Sequence, residues 1–89
     1  MYRWEDLMEL RQQTLDAVVE WLVAHGEREE NIEWDAEHTP IATLLAMPAD
    51  DDYRLCPDLH VGGYWSDAHL IIEFEDGIVR RWYRSWYWD

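Results

Sequence analysis

The feature that most constrains this chain is the dipeptide Asp76-Gly77, set between two runs rich in β-branched and aromatic residues, His69 to Glu75 and Ile78 to Trp88. Asp-Gly supplies the positive-φ positions of a tight turn, so the two runs are predicted to pair as an antiparallel hairpin. Two registers compete. A two-residue loop pairs Phe74 with Val79 and Glu73 with Arg80. A three-residue loop with Gly77 in a bulge pairs Phe74 with Ile78 and Leu70 with Trp82. The bulged register is preferred, because it gathers Leu70, Ile72, Phe74, Ile78 and Trp82 on one face.

The cover for that face is expected from the N-terminal third. Trp4 to Ala24 reads as one amphipathic helix, with Trp4, Leu7, Met8, Leu15, Val18, Val19 and Leu22 on one side at 100° per residue. Such a helix is about 31 Å long. His25 and Gly26 stop it, the glycine fitting the left-handed position past a helix end and the histidine placing a favourable charge at the C-terminus. From Asn31 to Glu37 the period changes to two, with Ile32, Trp34 and Ala36 alternating with Glu33, Asp35 and Glu37, as in a half-buried strand. Thr39 as a cap and Pro40 at the first helical position predict a two-turn helix over Ile41 to Met47, ended by Pro48. An acidic loop, Ala49 to Asp52, precedes weaker strands at Tyr53 to Cys56 and around His60 to Trp65. The expected fold class is α+β, a long N-terminal helix packed on a small antiparallel sheet that ends in a C-terminal β-hairpin, with residues 1–89 forming a single acidic domain.

Length narrows the function. With 89 residues, a chain buries only about 60 to 65% of its unfolded surface, too little for a deep cavity between subdomains. Ser66 and Ser85 lack a glycine-framed elbow, Cys56 precedes a proline in acidic surroundings, and no glycine-rich phosphate loop occurs, so no enzyme is expected. Cys56, His60 and His69, with Asp58 or Asp67, match no familiar metal spacing, and neither metal nor other cofactor is expected. A lone cysteine fits a reducing compartment. Glu5, Asp6 and Glu9 interrupt what a signal peptide would need, and no stretch approaches the ~20 apolar residues of a membrane span. A cytoplasmic location follows as an expectation.

Charge is the positive indication. Twenty acidic residues stand against seven basic ones, all arginine, for a formal net charge of −13. By segment the charge is −3 over residues 1–26, −8 over 27–52, −4 over 53–77 and +2 over 78–89. On the expected first helix Glu5, Asp6, Glu9, Asp16 and Glu20 share one side, and the like-charged i,i+4 pairs Glu5/Glu9 and Asp16/Glu20 each cost roughly 0.2 to 0.5 kcal/mol. Glu33, Asp35 and Glu37 would stand about 6.6 Å apart along their strand. Glu27, Glu29, Glu30 and the run Asp50, Asp51, Asp52 extend the field. Glu5, Glu9, Glu27, Glu29, Glu30, Glu33, Asp35, Glu37, Asp50, Asp51 and Asp52 are the candidate partner-binding set, since a surface that binds phosphate through Arg and Lys also accepts carboxylates.

In size and composition the chain is similar to phage-encoded nucleic-acid mimics that block restriction or CRISPR complexes. That similarity implies an acidic inhibitor occupying the nucleic-acid site of a basic protein. An immunity protein against a basic toxin nuclease would use the same physics. Direct binding to nucleic acid or to an anionic membrane is disfavoured by the charge. The reading from another class is a small accessory domain whose acidity only gives solubility. It would self-associate through the aromatic C-terminal strand, with Trp82, Trp86 and Trp88 as a secondary interface and a homodimer as the assembly.

Overall fold

A computed structural model describes residues 2–34, 38–62 and 69–85. Its sheet has five strands in the order β2-β1-β3-β4-β5, all antiparallel. They are β1 (Ile32–Trp34), β2 (Thr39–Pro40), β3 (Asp58–Val61), β4 (His69–Glu75) and β5 (Ile78–Ser85). Three short α-helices, α1 (Leu15–Ala24), α2 (Ile41–Leu45) and α3 (Asp52–Leu55), accompany them, so the α+β class holds.

The long N-terminal helix does not. Trp4–Leu10 is a 3-10 helix, and α1 begins only at Leu15. Between them Gln12 takes φ 63°, which ends the first helix, and Thr14 caps the second by accepting the Ala17 N–H at 3.3 Å. The break is held from afar. The Val79 N–H of β5 donates to the Gln13 carbonyl at 2.9 Å, and Thr14 bridges Ile78. In a 3-10 helix residues three apart eclipse, so Leu7 and Leu10 face the core together and Met8 is exposed, while Trp4, on their side but at the open end of the helix, is also exposed, contrary to the single-helix expectation. Within α1 the expected inward residues Leu15, Val18, Val19 and Leu22 are all buried. The end is as expected: Gly26 has φ 99°, and the Gly26 and Glu27 N–H groups return to the Val23 and Leu22 carbonyls. His25 stacks on Trp21 with ring centroids 3.9 Å apart, its Nδ1 2.7 Å from the Trp21 carbonyl.

Thr39 is no helix cap. Thr39 and Pro40 pair with Trp34 and Glu33 as the outermost strand, where the missing proline N–H costs no ladder bond. The helix that follows covers Ile41–Leu45 and buries Ile41 and Leu44. Tyr53 to Leu55 is helical rather than extended, with Cys56 just past the helix end, because the Asp51 carboxylate accepts the Tyr53 N–H at 2.9 Å and starts α3 there. The strand expected around His60 to Trp65 begins earlier, at Asp58, and ends at Val61, and residues 63–65 lie outside the described residues.

The hairpin forms where expected, but neither simple register is complete. Asp76 (φ 53°) and Gly77 (φ 84°) make a two-residue turn pairing Glu75 with Ile78 and Phe74 with Val79. A bulge then absorbs Arg80, after which Glu73 pairs with Arg81, Ile72 with Trp82 and Leu70 with Arg84. The extra residue sits at Arg80 instead of Gly77. The shift keeps Val79 and Trp82 both turned toward the helices and leaves Ile78 exposed. Leu70, Ile72 and Phe74 join Leu15, Val18 and Leu22 in one core, with Trp82 half-buried against it.

Candidate functional site: an acidic trough beside the helices

In α1 the residues Asp16, Val19, Glu20 and Val23 follow i, i+3, i+4, i+7 spacing and so share one stripe. This stripe forms one wall of a depression of about 380 Å³ completed by Glu29, Leu45 and Arg54. A second depression, also about 380 Å³, lies beside β1 and α2 and is lined by Glu29, Glu30, Glu33 and His38 with Pro40, Ile41 and Ala42. A third, about 360 Å³, reaches the hairpin turn through Asp16, Arg54, Leu55, Asp76 and Ile78. Glu29 is common to the first two, and Asp16 and Arg54 to the first and third. The three make one trough carrying six carboxylates.

Compensation inside the trough is slight. The Arg54 guanidinium is engaged by Asp16 and donates to the Met47 carbonyl at 2.9 Å. Glu33 lies 2.8 Å from His38 Nδ1, and Glu30 lies 3.2 Å from Arg28 in an exposed pair. Neither Glu20 nor Glu29 has a cationic side chain within 4 Å among the described residues. The trough therefore presents net negative charge over an apolar floor.

The structure sorts the sequence candidates. Glu29, Glu30 and Glu33 come together in the trough. Glu33 is only about one-fifth exposed, since it sits between Pro40 and His60 in the sheet, and so it forms an inner wall and no outward strand array. Asp35 and Glu37 lie outside the described residues. Glu5 and Glu9, exposed on the 3-10 helix, line none of the three depressions, because the break at Gln12 takes them off the stripe of Asp16 and Glu20. Glu27 accepts the Tyr2 hydroxyl at 3.0 Å on a different depression. Burial, and secondarily the Glu27 carboxylate, push the Tyr2 hydroxyl well above the usual phenol range. Asp51 caps α3, with Asp50 and Asp52 exposed beside it. Asp16, Glu20 and Asp76 are trough residues absent from the sequence-derived set. The helical stripe pointed to the first two, and the third is carried in by the hairpin turn.

Trp82 lines a separate shallow depression with Arg11, Arg80 and Arg81, while Trp86 and Trp88 lie outside the described residues. On the sheet face away from α1, Arg81 grips Glu73 through two hydrogen bonds of 2.6 and 3.0 Å. That grip holds the Glu73 carboxyl below its ordinary range. Asp58, opposite Glu73 on β3, is pushed up by burial and then by the Glu73 charge. Among the described residues no three His, Cys, Asp or Glu side chains gather as a metal site, and no helix is long and apolar enough to cross a membrane. No protein-family model, no curated protein and no solved structure matches the chain.

Proposed function

We propose that the protein works by binding rather than catalysis, its acidic trough occupying a basic, nucleic-acid-binding site on a partner protein in the manner of a nucleic-acid mimic. The observation that supports this reading is the run of carboxylates from Glu33 through Glu29 and Glu20 to Asp76, with one arginine in the lining that is itself engaged by Asp16. Partner arginines and lysines that hold a phosphate backbone find acceptors of the same charge and hydrogen-bonding capacity there. An inhibitor of a restriction or CRISPR complex and an immunity protein against a basic nuclease are both instances of this chemistry.

Self-association through β5 has less support. Val79 already gives its N–H to Gln13, and the remainder of the strand carries Arg80, Arg81 and Arg84. A two-fold pairing there brings guanidinium groups together, which is unfavourable across strands.

The test is capture of binding proteins at low salt, followed by elution with rising NaCl or with duplex DNA. Retention should fall steeply between about 50 and about 200 mM salt, and DNA should displace the same protein. Joint replacement of Glu20, Glu29 and Glu33 by Gln should weaken capture. A partner held equally well at high salt and by the triple variant defeats the proposal.

A further inference from the structure

The middle of the trough is more than a row of charges. Val19 and Val23 of α1 and Leu45 of α2 make its floor, and Val23 is 46% exposed. Asp16, Glu20 and Glu29 stand around this floor. A phosphate-like surface needs only the acids. An apolar strip between them suits a ligand that alternates the two chemistries.

We infer that this groove takes a basic amphipathic segment of the partner protein, with one or two aliphatic side chains seated on Val19, Val23 and Leu45 while flanking Arg or Lys side chains meet Glu20, Glu29 and Asp16. The inference rests on the acidic-recognition reading above and names the partner's chemistry. Charge complementarity selects the occupant. A neutral apolar segment would leave the uncompensated Glu20 and Glu29 partly desolvated, whereas an arginine beside each supplies charge-assisted hydrogen bonds. Arg54 does not compete for that place, because Asp16 and the Met47 carbonyl hold its guanidinium. Along α1 the carboxylates of Asp16 and Glu20 are one turn apart, about 6 Å of helix rise. The apolar side chains of Val19 and Val23 repeat at the same interval, so basic and aliphatic groups on the ligand should recur about a helical turn apart.

The experiment titrates the whole protein with two fluorescein-labelled twelve-residue peptides of equal positive charge. One carries arginines with two leucines a helical turn apart, and the other has serines in place of the leucines. The leucine peptide should bind about tenfold more tightly, within what burial of such side chains supplies. Val23→Ser, at a position 46% exposed, should remove that preference. Val23→Leu should keep it. Equal affinities for the two peptides in the unaltered protein, or a preference that survives Val23→Ser, overturn the groove. The charge-based reading is judged separately. Salt-sensitive binding of both peptides sustains it, and salt-indifferent binding with an intact leucine preference removes it while leaving the groove.

Discussion

The trough and the free edge of the hairpin handle charge in opposite ways. Along β5, Arg81 is clamped by Glu73, Arg80 lies 3.7 Å from Glu75, and Arg84 lies over the Trp4 ring at 5.2 Å. Those cations are answered within the chain. In the trough Glu20 and Glu29 are not, among the described residues, and six carboxylates share a lining with one arginine. Position accounts for the difference. Antiparallel pairing sets Glu73 directly opposite Arg81, so the sheet ladder supplies the partner. Asp16 and Glu20 are i,i+4 neighbours of like sign, and no lysine exists in the chain to stand between them. Internal neutralisation of the arginines leaves the trough with surplus acid, and a field of one sign speeds encounter with surfaces of the opposite sign at low salt.

The severest way to break the comparison is to remove the core both regions stand on. Leu15, 3% exposed at the start of α1, packs in the cluster that also holds Phe74 and Val79. Leu15→Ala should cost about 2 to 5 kcal/mol in urea unfolding. A loss of only a few tenths would show that α1 does not anchor the hairpin.

A smaller effect is expected where the two regions touch. Gly77 holds φ +84°, its N–H reaches the Leu55 carbonyl at 2.7 Å, and a Cβ there would meet Leu55 Cδ2 at 3.1 Å. Gly77→Ala should cost roughly 1 to 2 kcal/mol from the left-handed backbone, read by the same unfolding measurement. Unchanged stability would mean that the turn relaxes freely and that the trough's hairpin end is not rigid.

The mildest change sharpens the contrast by leaving one carboxylate unanswered at the sheet. Glu73 has its pKa lowered in the folded state, chiefly by the Arg81 hydrogen bonds. Its contribution to stability is therefore present above the unfolded-state pKa and is lost as pH falls through the lower folded-state value. Arg81→Gln should raise the midpoint pH of acid unfolding while leaving peptide binding at the trough unchanged. An unmoved acid midpoint would count against internal neutralisation as a source of stability.

How far the sequence reveals this molecule depends on how local each decision is. The position of the Asp76-Gly77 turn and the Gly26 helix stop are read correctly because each is settled within a few residues, whereas the preferred three-residue loop gives way to a two-residue turn. Gln12 carries no signature of a left-handed residue, and the bond that holds the break comes from Val79, far along the chain. Thr14 was the one local sign, a good capping residue in the middle of an otherwise continuous periodic run. The bulge at Arg80 arises because a two-residue turn and an inward Trp82 cannot both be met without an extra residue, a conflict visible only once the core is assembled. For the candidate site the same division applies. Glu29, Glu30 and Glu33 were legible as acids, but the meeting of Glu29 with Asp16 and Glu20 across one groove depends on the long-range placement of α1 beside Leu45.

The two rims of the sheet carry a consequence for crowded solution. One rim is the two-residue strand Thr39–Pro40, with a residue that cannot donate a backbone hydrogen bond. The other is occupied at its start by Gln13 and Thr14 and kinked at Arg80. A growing fibril needs a long, flat, unpaired rim to template the next chain, and over the described residues neither side offers one. Over the described residues, a molecule rich in tryptophan and β-structure thus offers little rim on which a second copy could pair.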